Sequence, residues 1–122
     1  MPVSETTENG PPLSVQILRD TRTFLTDPTH WVKEVLAVNL DGLWLDDVHG
    51  VPLEQVSCAC MEGALRLHGW TGAADSVWRA MRAACGEDIP DFNDSHTHQE
   101  VVDALDRAVV LLEAHHGDVP KV

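Results

Sequence analysis

Basic residues are scarce in this chain: 8 Lys and Arg stand against 20 Asp and Glu, a formal net charge of −12. The deficit is regional. Between Lys33 and Arg66 lie six acids and no Lys or Arg, and between Arg82 and Arg107 seven acids and again neither. Surfaces of this sign repel phosphate, which argues against nucleic-acid binding and against an anionic membrane as a partner. A basic protein, a cation or a nucleic-acid-mimic role is compatible with them. The plainer reading is a well-solvated acidic surface.

Cysteine is also sparse. Cys58, Cys60 and Cys85 are an odd number with no disulfide-framework spacing. No apolar run approaches the ~18 residues of a membrane span, and the N-terminus lacks the charged and apolar segments of a secretory leader. A reduced cytoplasmic setting is expected. Tyr is absent and Phe occurs twice, so four Trp carry most of the aromatic content. Trp is favoured at interfaces, and Trp44 is the one expected in a subunit or partner contact.

What is present is a globular pattern. The chain has 122 residues, 43% of them hydrophobic, which favours one domain able to bury roughly two-thirds of its unfolded surface without metal or disulfide. Residues 1–12 read as a flexible tail closed by Pro11-Pro12, residues 13–117 as the globular domain and 118–122 as a short tail. The expected class is α+β, mainly helical, with four main helices at 13–26, 53–68, 72–85 and 97–115 and one β-hairpin at 35–48.

The local signals are specific. Leu13, Ile17, Thr21, Phe24 and Leu25 share one helical face, with Ser14 as its cap. Pro28 then stops that helix, and Asp27-Pro28 opens a short capped turn. Asp41-Gly42 sits between two apolar runs as a hairpin turn. Trp44 and Leu45 fall on opposite faces of its second strand, an edge suited to an interface. Leu53, Val56, Cys60, Gly63, Ala64 and Leu67 make a helical stripe ended by Gly69. Ala74, Val77, Trp78, Met81, Ala84 and Cys85 make the next, ended by Gly86. Thr97-His98-Gln99-Glu100 is a capping box ahead of Val101, Leu105, Ala108, Val109 and Leu112.

Cys60-Met61-Glu62-Gly63-Ala64-Leu65, Phe92-Asn93-Asp94 before Thr97, and Leu105-Asp106-Arg107-Ala108-Val109 together resemble a family of small actinobacterial and phage proteins of unknown function. Asp27-Pro28-Thr29-His30-Trp31 and Asp41-Gly42 match earlier pieces of that pattern, while Ala59 stands where it carries Trp. The resemblance spans roughly Leu13 to Leu112. It implies a fold and no known activity.

Three chemistries can be set against structural readings. Cys60 is a candidate nucleophile if His98 supplies the base and Asp94 the orienting group. On a mid-helix apolar stripe, however, burial would raise its pKa and make it inert. Asn93, Asp94, His96 and His98 are candidates for a polar ligand pocket. An Asx pair ahead of a capped helix also satisfies backbone amides with no ligand at all. Zinc is disfavoured: Cys58 and Cys60 would point about 200° apart on a helix, and His115-His116 sit at a helix end suited to the negative dipole. No cofactor or metal is expected. The leading expectation is a non-enzymatic binding protein that associates with itself, possible as a homodimer, or with a protein partner through Trp44 and Leu45. A cysteine-dependent hydrolase or transferase and a small-ligand protein are the alternatives.

Overall fold

A computed structural model describes residues 13–114. The tails expected at 1–12 and 118–122, and His115-His116, lie outside the described residues. The first helix, α1 (Leu13–Thr26), buries Val15, Ile17, Leu18, Thr21 and Leu25. Ser14, expected to cap it, lies within its first turn. Asp27 stops it and accepts from the Thr29 amide at 2.9 Å, with Pro28 opening the 3₁₀ turn Pro28–His30.

A three-stranded antiparallel sheet follows in the order β2-β1-β3, with β1 Ala37–Asn39, β2 Trp44–Leu45 and β3 Val56–Ala59. The hairpin is present, but its paired part is shorter than 35–48. Its loop is built by Asn39, whose Oδ1 accepts from the Asp41 and Leu43 amides at 2.9 and 3.0 Å. Gly42 takes the left-handed φ of +84° that closes such a loop. Register sorts the sheet into two rows. Leu45, Ala37 and Ala59 face inward, and Trp44, Val38 and Cys58 face outward. Ala37 and Ala59 are fully buried.

The helix expected at 53–68 is corrected here. Leu53–Gln55 form a 3₁₀ turn, Val56–Ala59 form β3, and only Met61–Leu67 are helical, as α2. Local periodicity could not see the partner that decides this. The Leu40 amide donates to Gln55 O at 3.0 Å and the Cys60 amide to Leu36 O at 3.1 Å, so β1 recruits the segment as a strand. Val, Ser and Cys are also weak helix formers that yield readily. Helix and strand then touch through their main chains. A Cβ on Gly63 would lie 2.1 Å from Leu36 O, so only glycine fits.

The helix expected at 72–85 begins later, as α3 (Ser76–Cys85), because Asp75 caps it by accepting from the Trp78 amide at 3.1 Å. Next comes a short helix absent from the four expected, α4 (Ile89–Ser95), with Pro90 in its first turn. The last helix, α5 (His98–Ala114), opens on the capping box. The Thr97 hydroxyl accepts from the Glu100 amide at 3.2 Å, and Glu100 accepts from the Thr97 amide at 2.9 Å. Helix α5 packs on α1 and α3, joining Leu105 and Val101 to Leu18, Met81 and Leu65 in one core. On the surface, Arg22–Asp106 and Arg19–Glu113 ion pairs tie α1 to α5. The architecture is α+β and mainly helical.

Candidate functional site

Asn93 is one of two fully buried polar residues among the described residues, with Thr21 the other. Its side chain is saturated. Trp31 Nε1 and the Met61 amide both donate to Oδ1, at 2.7 and 3.0 Å. Its Nδ2 donates to Val32 O and to Asp94 Oδ1, both at 3.1 Å. One amide thus joins three segments: α4, the start of α2 and the chain entering the sheet. Asp94 extends the joint by accepting from the Glu34 amide at 2.9 Å. Glu34 is the one non-glycine among the described residues at positive φ, +70°. The Asx pair expected to satisfy backbone amides does so, but for remote segments rather than for its own turn.

Cys60 lies against this joint. It is the N-cap of α2 rather than a mid-helix residue, and its Sγ accepts from the Gly63 amide at 3.3 Å. An open cleft of about 180 Å³ lies beside it, lined by Val35, Leu36, Pro90 and the carboxylates Glu34, Glu62 and Asp94. A helix N-terminus favours a thiolate. Here burial outweighs it and pushes the Cys60 thiol up, the Gly63 and Glu62 backbone bonds oppose that weakly, and the charges of Glu62 and Asp94 add to the rise. Burial likewise raises Cys58, and pushes Cys85 up to about 11.

The histidines expected near Cys60 are engaged elsewhere. His98 Nε2 donates to Leu25 O, at the end of α1, at 2.6 Å, and its ring leans on Trp31. His96 Nδ1 donates to Phe92 O in α4 at 3.0 Å while stacked on Phe92. His30 Nδ1 donates to Phe24 O of α1 at 2.7 Å, and His68 Nδ1 to Ala64 O of α2 at 2.7 Å. Four rings therefore supply hydrogen bonds to carbonyls near helix C-termini, where intrahelical donors run out; the Ala64 carbonyl also accepts from the His68 amide. Sequence reasoning missed this use, although His30, His68 and His96 each follow a helix end within a few residues. Among the described residues no group of three or more His, Cys, Asp or Glu is arranged to hold a metal ion, and no helix is long and apolar enough to cross a membrane.

The second notable surface is the hairpin. Trp44 is 75% exposed, with Leu40 at 67% and Leu43 at 62% beside it. Leu45, paired with Trp44 in the sequence reading, instead packs partly against the core. The β3 side of the sheet is closed by Trp31, bridged to Ala59, and by the Val32 amide donating to Ala59 O at 3.2 Å. The β2 side is an edge.

A family model described as a family of unknown function, DUF6197, matches residues 10–110. The chain belongs to that family. The DUF6197 match takes in the Asn93 joint, the Cys60 cap and the hairpin together. No curated protein and no solved structure matches the chain.

Proposed function

We propose that this DUF6197 member is a protein-binding module whose contact surface is the β-hairpin. The observation that carries this reading is Trp44, three-quarters exposed on the edge strand of a hairpin that also exposes Leu40 and Leu43. Folding has no use for that side chain in the open, and large exposed apolar groups brought together mark association sites. For a gene of phage or mobile-element origin, the partner would be a host protein.

The other two readings have less support. A nucleophile at Cys60 needs a base, and His98 is bonded to Leu25 O while the thiol is held protonated by burial. A pocket at Asn93-Asp94 needs free polar atoms, and both donors and both acceptor sites of Asn93 are taken. Iodoacetamide at neutral pH checks the first. Cys58 labels ahead of Cys60 and Cys85 in the folded protein, whereas a fast Cys60 would revive the nucleophile.

Site-specific photocrosslinking in cells tests the main reading. A photoreactive residue at Leu43 yields covalent protein adducts, and one at exposed Gln99 on α5 does not. Adducts from Gln99 with none from Leu43 would sink the proposal.

A further inference from the structure

The outer row of the sheet, Trp44–Val38–Cys58, lies outside the buried core, with Trp44 exposed and Val38 and Cys58 half-buried, and Leu40 and Leu43 are exposed at the hairpin end. We infer that this face docks a cationic segment of another protein, one that carries an apolar anchor and adds in extended form at the β2 edge. The inference rests on the hairpin being the contact surface and adds the chemistry of the partner.

Charge selects the occupant. Asp41, Asp46, Asp47 and Glu54 are all exposed on the hairpin and the segment that follows it, and no Lys or Arg occurs between Lys33 and Arg66 to offset them. A second copy would bring the same carboxylates against their equals. At physiological salt, charges within about 8 Å still feel one another, so a self-contact here is opposed. A Lys- or Arg-bearing segment meets these acids with complementary sign, which speeds encounter and fixes register. Nucleic acid and anionic lipid fail on the same ground.

Backbone geometry selects the conformation. The Asn39 amide donates to Leu43 O at 3.0 Å, which makes Val38–Trp44 a non-hydrogen-bonded pair. The Trp44 N–H and C=O therefore point away from β1, outward from the edge. An incoming strand can pair with them while its alternate apolar side chains rest on Trp44 and Val38.

Titration of the full chain with two short synthetic peptides tests this. One alternates Lys with Val or Leu, and its twin carries Glu in place of Lys. Anisotropy of a dye on the peptide reads binding in every variant, and tryptophan emission of the protein, since neither peptide contains Trp, reads whether Trp44 is covered. The Lys peptide shifts the emission at low salt and loses affinity as salt rises, and the Glu twin does not bind. Trp44→Phe removes most of the emission change. Asp46→Asn with Asp47→Asn weakens binding roughly fivefold and flattens the salt dependence. Thermal melts confirm that each variant folds. Equal binding of the Glu twin, or no effect of removing the two Asp, overturns the partner chemistry; the hairpin reading survives that result if Trp44→Ser still abolishes binding. Lys-peptide binding untouched by Trp44→Ser overturns the hairpin reading itself. The inference also fails if the Lys peptide does not bind, if the face instead seats a second copy in a dimer that Trp44→Ser disperses, or if it seats zwitterionic vesicles.

Discussion

The Asn93 joint and the outer face of the hairpin are opposites. At the joint a polar side chain is fully buried and every hydrogen-bonding position is filled. On the hairpin a large apolar side chain stands three-quarters exposed. The first arrangement closes an account of backbone donors and acceptors that folding requires. The second contributes little to folding. The polar residues gathered near Cys60 thus meet a need of the fold, whereas the exposed tryptophan on a short edge strand meets none.

That contrast can be broken at its strong end first. Asn93→Ala strands the Met61 amide, the Trp31 indole N–H and Val32 O, and lowers unfolding stability by about 3–5 kcal/mol. Urea denaturation measures it, and a loss under about 1 kcal/mol would show that the joint is dispensable. Gly63→Ala comes next, at about 2–3 kcal/mol, because its methyl must push α2 away from Leu36 O. Rescue by a second substitution at Ala59 is not expected, since the obstacle is backbone. Thr97→Ala removes the cap of α5 and costs about 1 kcal/mol.

The capping carboxylate gives that last effect a pH dependence. The bond from the Thr97 amide holds Glu100 below the usual carboxylate range, and the Thr29 bonds do the same for Asp27. Groups with lowered folded-state pKa stabilise above their ordinary value and lose that contribution as pH falls through the lowered one. Stability therefore declines on acidification below the ordinary carboxylate range, and Glu100→Gln makes the decline shallower. The smallest stability effect sharpens the comparison from the other side. Trp44→Ser leaves the unfolding free energy within about 0.5 kcal/mol of the parent while removing association. A large destabilisation would move Trp44 into the structural class.

Short-range chemistry was legible in the sequence. Thr97 and Glu100 cap α5, Gly42 turns the hairpin, and Gly69 and Gly86 follow α2 and α3, because each depends on residues within one turn. The opposite faces of Trp44 and Leu45 follow from the two-residue period of a strand. What escaped depends on distant partners. Val56–Ala59 carries an apolar spacing that suits a helix, yet β1 claims it through bonds to Gln55 and Cys60. The Cys60 site was misplaced for the same reason: once the segment is a strand, the cysteine falls at the start of α2. Asn93 was recognised as a partner of backbone groups, but Trp31 and Met61 lie 62 and 32 positions away and could not be named.

The histidine bonds to helix-end carbonyls carry a spectroscopic consequence. A carbonyl only accepts, so each ring nitrogen facing one must hold a proton. His30, His68 and His96 therefore carry a proton on Nδ1 and His98 on Nε2. Imidazole nitrogen resonances would separate these rings into two classes. They would also report the fraying of α1, α2 and α4 individually, giving each helix end its own built-in thermometer.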